Sequence, residues 1–359
     1  MTNPLNTPTE KKRHFEILDG LRGVAAIAVV VFHFMEIVFP EPSENFISHG
    51  FLAVDFFFCL SGFVIAYAYD DRISTIGKPG FFKARLIRLH PLVIFGSVLG
   101  LTGFLLHPLG KGPDNHSAAY IGLIFLTSIL MIPFPFVPER YNNLFNLNAP
   151  SWSLFWEYVA NLLYAWVLYR LARRYLLWVA ILAAGGLLAL GYSRGTLLGG
   201  WGGSTFWDGG VRLAFSFTAG MVLYRYRLII PNKLDFPGVA LLLLPVFFVP
   251  SGSYNRIVEP LLVIVYFPLI IALGAGANSS RFGGICRFSG MISYPLYMVH
   301  YEAMWTFGNY LTIYKPGTQE LAIVIICGTA LLIGFAYLVL RVYDVPVRKY
   351  LTRLRMKQH

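Results

Sequence analysis

The sequence predicts an all-α polytopic membrane protein, built as a bundle of about ten transmembrane helices. Hydrophobic residues make up 56% of the 359 residues, whereas charged residues make up only 13%. Apolar runs of about 20 residues recur along the whole chain, and each is long enough to cross a hydrocarbon core of about 30 Å. The runs are continuously apolar rather than alternating, which disfavours a transmembrane β-barrel.

Eleven apolar segments follow one another along the chain. They cover residues 18–39, 51–69, 87–107, 118–137, 152–170, 175–192, 209–225, 236–250, 257–274, 286–308 and 320–343. Clusters of Lys and Arg mark the segment ends that we expect in the cytoplasm, because cytoplasmic loops are enriched in these residues. The clusters are Lys11, Lys12 and Arg13; Arg72, Lys78, Lys83, Arg85 and Arg88; Arg170, Arg173 and Arg174; Arg225, Arg227 and Lys233; and Arg348, Lys349, Arg353, Arg355 and Lys357.

Eleven crossings cannot place all these clusters on one side, because an odd number puts the two termini on opposite sides. Segment 118–137 ends in the proline-rich IPFPFVP and runs into YNNLFNLNAP. Proline blocks helix continuation, and irregular backbone at membrane depth must be covered by protein. We therefore predict a re-entrant or extracytoplasmic segment near 118–150. The whole chain, 1–359, is predicted to be a single membrane-embedded domain with cytoplasmic tails at 1–16 and 344–359.

The net charge of +11 is explained by these cytoplasmic loops, so no nucleic-acid partner is expected. Cys59, Cys286 and Cys327 lack the spacing of metal ligands, so neither a disulfide framework nor a metal site is predicted. The first apolar run lacks a small-residue cleavage signature, and we expect it to be a retained span.

The first apolar segment, ILDGLRGVAAIAVVVFHF, carries Asp19, Arg22 and His33. Arg22 and His33 are 11 positions apart, which puts them on nearly the same helix face with His33 roughly 16 Å deeper. Ionisable groups inside a spanning helix are functional candidates. We therefore predict a proton-accepting His33 and an Arg22 that Asp19 pairs with and orients. The alternatives are a packed His33 bonded to a backbone carbonyl, and an Asp19 that caps the helix.

The stretch KPGFFKARLIRLHP begins the third apolar segment. Arg85 and Arg88 are three residues apart, so they share a helix face. Arginine forks match phosphate oxygens, and together with Arg22 they predict a phosphate-binding site at the cytoplasmic mouth. The alternative is ordinary topogenic charge that contacts lipid phosphates.

Further polar groups lie inside the second, fifth and tenth segments. Asp55 must be paired or protonated if it is buried, and Gly62 permits close helix approach. Candidate substrate-binding residues lie in SWSLFWE and SYPLYMVH: Trp152, Ser153, Glu157, Tyr297 and His300. Ser153 and Glu157, four residues apart, face the same way. Structural roles for Ser153, Glu157 and His300 are the alternative.

The motifs DGLRGVAAIAVVVFH, FFFCLSGFVI, RLIR, SWSLFWE and SYPLYMVH occur in this order within residues 15–350. This ordered set resembles the acyltransferase-3 family of integral membrane O-acyltransferases. The resemblance implies a ten-helix bundle in the bacterial cytoplasmic membrane and an acyl-CoA donor that enters from the cytoplasm. It also implies transfer of an acyl group, acetyl by default, to a hydroxyl of a carbohydrate or glycolipid acceptor.

The family's Arg-x10-His motif falls on Arg22 and His33, and its Arg-x-x-Arg motif falls on Arg85 and Arg88. The resemblance takes the His as essential and the arginines as donor-side or structural. One departure lies near the C-terminus, where the family's Tyr-x-x-Glu-x-Pro pattern is replaced by Tyr343-Asp344-Val345-Pro346.

Two mechanisms and two other functions stay open at this stage. His33 either removes a proton from the acceptor hydroxyl or is itself transiently acylated. A transporter or flippase of a sugar-linked or anionic substrate would also place ionisable groups inside the membrane. A polysaccharide polymerase or ligase would need a long outside loop. The acyl group, the acceptor hydroxyl and the oligomeric state are not fixed by the sequence.

Overall fold

The structure, a computed structural model, describes residues 14–109, 116–277 and 281–356. Within these ranges the chain is helical and has no β-strand. The predicted N-terminal cluster at 11–13 and Lys357 lie outside the described residues. The α-helices are α1 Glu16–Val38, α2 Ala53–Tyr69, α3 Ile73–Leu106, α4 Ala118–Ile129, α5 Ser151–Trp166, α6 Arg173–Arg194, α7 Phe206–Arg225, α8 Phe236–Leu243, α9 Asn255–Leu261, α10 Phe267–Gly276, α11 Gly283–Tyr314, α12 Thr318–Val339 and α13 Val345–Met356.

Short 3-10 and π segments extend or join several of these helices. The 3-10 turns are Gly50–Leu52, Pro138–Arg140, Leu168–Arg170, Gly203–Thr205 and Leu244–Phe248, and the π segments are Leu262–Tyr266 and Leu340–Asp344. The first π segment joins α9 to α10, and the second joins α12 to α13. Each of the eleven predicted apolar segments therefore contains helix.

Six helical stretches in the described ranges are long and apolar enough to cross a membrane. They are Glu16–Val38, Gly50–Tyr69, Ile73–Leu106, Arg173–Arg194, Asn255–Gly276 and Thr318–Met356. The chain is therefore an all-helical protein with several membrane-spanning candidates, whereas the figure of ten crossings stays a prediction. Some helices run past the predicted apolar segments: α3 begins at Ile73 rather than at 87, and a kink at Gly77, where φ is 67°, separates a short first turn from the long basic and apolar part that follows.

Two helix pairs form the centre of the bundle, α1 with α11 and α2 with α7. A Cβ atom at Gly62 would lie 2.0 Å from the Phe217 carbonyl oxygen, and one at Gly220 would lie 1.9 Å from the Cys59 carbonyl oxygen. The prediction that Gly62 permits close helix approach is therefore confirmed. Because α2 and α7 touch through their backbones, Asp55 of α2 is brought into reach of α7.

One end of the bundle collects the loops that carry the cation clusters. Arg225, the last residue of α7, donates to the Asp70 carboxylate at 2.8 Å and to the Leu171 carbonyl at 2.8 Å. The Tyr164 hydroxyl of α5 also donates to Asp70, at 2.8 Å. The loops after α2, α5 and α7 thus share this basic end, as the cation distribution predicts. We call the opposite end, where the 131–150 loop lies, the lid end.

Segment 118–150 enters and leaves at the lid end. The Ser128 hydroxyl near the end of α4 lies 2.8 Å from the Ser97 hydroxyl, about two and a half turns from the end of α3. The chain then turns back, and the Tyr120 hydroxyl at the start of α4 donates to the Phe136 carbonyl. α4 therefore descends only part of the length of α3, which supports the re-entrant interpretation of 118–150.

Candidate active site

Two cavities lie within the bundle, one nearer each end. The arginine chamber, of about 210 Å³, is lined by Arg22, Arg85 and Arg88 among others. The histidine chamber, of about 240 Å³, is lined by His33 and by the loop residues Arg140 and Tyr141 among others. Both cavities are lined by Val54 and Tyr297. The Arg22 and His33 positions of α1 therefore open into two neighbouring chambers that share a wall.

The arginine chamber is rich in positive charge. The Arg85 guanidinium donates to the Glu157 carboxylate at 2.7 Å, and the Ser61 hydroxyl donates to the same oxygen at 3.0 Å. Three arginines line this cavity against a single carboxylate. An anion that enters it meets an excess of positive charge.

Asp19 orients Arg22, and Arg88 is left available. Arg22 Nη1 lies 3.2 Å from the Asp19 carboxylate, in the first turn of α1. The N-cap of α1 is Phe15, so the alternative of Asp19 as the helix cap is not what the structure shows. Within the described ranges Arg88 makes no side-chain hydrogen bond and no ion pair. Its five N–H groups are free to meet a ligand.

The wall between the two chambers contains a hydroxyl pair. The Tyr297 and Ser153 oxygens lie 2.7 Å apart, and the Ser153 hydroxyl also donates to the Pro150 carbonyl at 3.0 Å. Tyr297 is therefore the donor to Ser153, since a serine has only one hydroxyl hydrogen. The Phe57 ring packs edge-on against Tyr297, with centroids 5.9 Å apart. A long, thin ligand that joined the chambers would pass these side chains.

His33 has a carboxylate on one side and an imidazole on the other. Its Nδ1 lies 2.5 Å from the Glu36 carboxylate, and its ring stacks on His300 with centroids 5.2 Å apart. His300 Nδ1 donates to the Tyr297 carbonyl at 2.9 Å, which leaves its buried Nε2 without a partner in the described part of the chain. The ring of Tyr301 meets His33 edge-on at 5.2 Å.

A buried ion pair supports the histidine chamber beneath Trp152. Asp55 is 0% and Arg212 is 1% exposed, and Arg212 donates to both carboxylate oxygens, with the shortest contact at 2.6 Å. Arg212 also donates to the Gly199 carbonyl at 2.8 Å, and its guanidinium lies 5.2 Å from the Trp152 ring centroid. Asp55 is therefore paired, as the sequence required of it if buried.

A second buried arginine ties the 131–150 loop over the histidine chamber. Arg140, 2% exposed, donates to both oxygens of the Glu302 carboxylate at 3.1 and 3.2 Å. Its guanidinium lies 4.5 Å from the Trp305 ring centroid. The exposed ring of Tyr141 also stacks on Trp305, with centroids 5.6 Å apart. The chamber wall is thus rich in aromatic rings, as sites for sugar rings commonly are.

The predicted site residues divide between the chambers. Arg22, Arg85, Arg88, Ser153 and Glu157 line the arginine chamber. His33 and Trp152 line the histidine chamber, and Tyr297 lines both. Asp19 contacts Arg22, and His300 lies against the ring of His33. Ser153 and Glu157 do face the same cavity, but it is not the one that holds His33.

Sequence reasoning missed six polar residues of the histidine chamber: Glu36, Arg140, Tyr141, Asn143, Arg212 and Tyr301. Glu36 and Arg212 each carried a usable signal, an ionisable side chain within an otherwise apolar run. Arg140 and Tyr301 carried none, because only the fold brings them to His33. Among the described residues no group of His, Cys, Asp and Glu side chains is arranged to hold a metal ion.

Comparisons with known proteins identify the family. Residues 15–341 match the family model described as "Acyltransferase domain", that of the acyltransferase-3 family. The chain belongs to this family, and it is an acyl-transferring enzyme with the apolar helices of a membrane protein. No solved structure matches the chain.

Three relatives illustrate the similarity. "Protein 2 in picA locus" of Rhizobium radiobacter is 40% identical over 161 residues, which is 42% of this chain and 81% of that protein. A Staphylococcus aureus (strain COL) protein, provisionally named an O-acetyltransferase, is 35% identical over 92 residues, 24% of this chain and 14% of that protein. "Acyltransferase MdmB" of Streptomyces mycarofaciens is 28% identical over 163 residues, 44% of this chain and 40% of that protein. The match thus covers less than half the length of the two relatives that are named for acyl transfer.

Proposed function

We propose that this acyltransferase moves an acyl group, acetyl by default, from acyl-CoA to a hydroxyl of a carbohydrate or glycolipid. The observation that carries the proposal is the pair of adjoining chambers, with cations in one, an imidazole in the other and Tyr297 in both. Acyl-CoA has the matching form, an anionic nucleotide joined by a thin arm to a thioester.

The arginine chamber would hold the phosphates of the donor. Arg22, Arg85 and Arg88 supply fork-shaped donors that suit phosphate oxygens. Glu157 would fix the rotamer of Arg85, to which it is bonded. The thin arm would pass Ser153 and Tyr297 and carry the thioester toward His33.

In the histidine chamber, His33 would act as general base on the acceptor hydroxyl. Positioned general base catalysis gives about 10²- to 10⁴-fold, and the rest of the acceleration must come from positioning and charge stabilisation. Trp152, Tyr297 and His300, with Tyr141 and Trp305, would hold the sugar ring of the acceptor. The alternative of a transiently acylated His33 predicts an acyl-imidazole that rapid quenching traps before any acceptor is added.

We propose that the protein lies in the bacterial cytoplasmic membrane with its basic end in the cytoplasm. The clusters on the loops after α2, α5 and α7 lie together at that end, as the positive-inside rule requires. Both termini would then be cytoplasmic. Acyl-CoA would enter the arginine chamber from its cytosolic pool, and membrane lipids would surround the apolar helices.

The test is transfer by the purified, reconstituted protein. Proteoliposomes receive labelled acetyl-CoA and a candidate glycan, and label covalently bound to the glycan is measured. We expect transfer by the wild type, loss of about 10²-fold or more in His33→Ala, and full transfer by His107→Asn, which changes a histidine of the lid end outside both chambers. Uptake of the sugar into vesicles without covalent label would instead support the transporter or flippase.

A further inference from the structure

The carboxylate of Glu36 lies beside the proposed catalytic histidine. Its Oε1 is 2.5 Å from His33 Nδ1, and the two side chains are three residues apart on α1. We propose that Glu36 is a positioning residue that holds His33 in the tautomer able to accept a proton. This inference rests on the proposed function, since it requires His33 to act on the acceptor hydroxyl.

The contact fixes which nitrogen of His33 carries the hydrogen. An ionised carboxylate can only accept hydrogen bonds, so Nδ1 must donate and Nε2 keeps its lone pair. Nε2 has no hydrogen-bond partner in the described ranges of the chain. The His33 side chain is 20% exposed, and it lines the cavity in which the acceptor would lie. Nε2 is therefore the nitrogen left to take a proton.

Glu36 is the one carboxylate that contacts His33 in the part of the chain that the structure describes. The cations of the chamber have their own partners, Arg140 with Glu302 and Arg212 with Asp55. His300 donates from Nδ1 to backbone carbonyls, so it does not donate to His33 from that nitrogen. Among the described residues, the titratable and charged groups from other elements that contact His33 or line the cavities of Glu36 are Arg140, Tyr141, Arg194, Arg212, Arg256, Glu259, Tyr297, His300 and Tyr301.

The chemical step balances with Glu36 ionised throughout. The acceptor oxygen bonds to the thioester carbonyl carbon while its hydrogen passes to His33 Nε2. The carbon–sulfur bond then breaks, and the departing thiolate takes that proton from the imidazolium to give the free thiol. Between these events His33 carries a positive charge, which the adjacent Glu36 carboxylate stabilises. Glu36 touches neither substrate in this scheme and acts only through His33.

Glu36 is only partly buried. Its side chain is 35% exposed, and it also lines a second cavity at the lid end, of about 400 Å³, that Arg194 and Arg256 border. The carboxylate therefore keeps contact with a polar space beyond the histidine chamber. A carboxylate that retains such contact carries a smaller desolvation cost than a fully buried one.

The test compares Glu36→Gln, Glu36→Asp and the matched control Glu41→Gln, which lies on the exposed loop that follows α1. An amide can donate to Nδ1 and trap the tautomer that has its hydrogen on Nε2, which cannot act as a base. We expect kcat of Glu36→Gln to fall by about 10- to 10⁴-fold, the upper figure being the loss when a triad carboxylate becomes an amide. We expect the KM for acetyl-CoA to change less than about 3-fold, because the arginine chamber is untouched.

Two further readouts separate positioning from a structural role. The acidic limb of the kcat profile should move to lower pH in Glu36→Gln, because the imidazolium loses its neighbouring negative charge. Glu36→Asp keeps the carboxylate and should recover part of kcat, whereas Glu41→Gln should match the wild type in both rate and profile. Equal thermal stability of all variants shows that the fold is intact.

The outcomes separate the inference from the function on which it rests. If His33→Ala abolishes transfer while Glu36→Gln keeps wild-type kcat and pH profile, the positioning role is wrong and the proposed function stands. If His33→Ala transfers at the wild-type rate, the proposed role of His33 fails first. A loss of kcat in Glu36→Gln without a shift of the acidic limb would also overturn the inference.

Discussion

The two chambers each contain arginines, but those of the histidine chamber each bind both oxygens of a carboxylate, whereas those of the arginine chamber have one carboxylate contact or none among the described residues. In the histidine chamber Arg140 and Arg212 are almost fully buried, and each donates to both oxygens of a carboxylate. In the arginine chamber Arg85 is 15% and Arg22 is 25% exposed, each with one contact to a carboxylate, and Arg88 has no partner in the part of the chain described. The availability of donors, not the presence of cations, distinguishes a binding site from a structural pair.

The difference also assigns the chambers distinct physical tasks. A buried cation that binds both oxygens of a carboxylate is part of the fold, and its removal leaves the carboxylate charge uncompensated. A partly exposed cation with spare N–H groups contributes less to the fold and more to an anion that reaches it. We therefore expect mutations in the histidine chamber's ion pairs to act on stability, and mutations in the arginine chamber to act on donor affinity.

The largest expected effect follows from the removal of the Asp55 carboxylate. Asp55→Leu leaves the Arg212 guanidinium buried without its carboxylate, and we expect a loss of about 3–5 kcal/mol in the free energy of unfolding. Asp55→Leu combined with Arg212→Met should regain most of that loss, because no buried charge remains. Thermal unfolding in detergent, monitored by size-exclusion chromatography, measures the stability of the single and of the double variant. If Asp55→Leu alone is as stable as the wild type, the ion pair of Asp55 and Arg212 does not stabilise the fold.

The sequence predicted one chamber better than the other, for a physical reason. Arg22, Arg85 and Arg88 lie in short local motifs near a charged helix end, so the pattern itself places them on shared faces. The partner of Arg212 is 157 positions away, and only the close contact of α2 and α7 at Gly62 brings the two together. Contacts between residues on distant helices leave no periodic pattern in the sequence from which they could be predicted.

The helices were predictable for the opposite reason. Continuous apolar runs specify helix wherever they occur in a membrane, because every backbone group must be satisfied within the segment. The prolines after α4 predicted that segment 118–150 turns back. The ends of α3 and of the last helix were not predictable from apolar character, since polar turns extend both beyond the hydrophobic stretch.

A smaller effect should follow in the arginine chamber. Arg88→Gln removes a guanidinium that has no hydrogen-bond or ion-pair partner among the described residues, so we expect no loss in the free energy of unfolding. If Arg88 meets a donor phosphate, the loss of a charged hydrogen bond costs about 1.5–3 kcal/mol, which raises the KM for acyl-CoA roughly 10- to 100-fold. kcat at saturating donor should stay near the wild-type value.

Arg72→Gln is the matched control for that experiment. Arg72 is exposed at the same basic end but lines neither chamber. We expect it to leave the KM for acyl-CoA unchanged. If Arg72→Gln and Arg88→Gln raise KM equally, general surface charge rather than the chamber attracts the donor.

The smallest effect concerns the residue that the two chambers share. Tyr297→Phe removes the hydroxyl that donates to Ser153 but keeps the ring that packs on Phe57. One neutral hydrogen bond is worth about 0.5–1.5 kcal/mol, and the Ser153 hydroxyl keeps its bond to the Pro150 carbonyl. We therefore expect unchanged folding and a fall in kcat/KM of about 2- to 10-fold. Tyr297→Ala, which opens the shared wall, should cost more than Tyr297→Phe. An increase in hydrolysis of acyl-CoA without an acceptor in Tyr297→Ala would show that the ring keeps water from the thioester, whereas equal rates in all three proteins would show that the donor does not pass between the chambers at this residue.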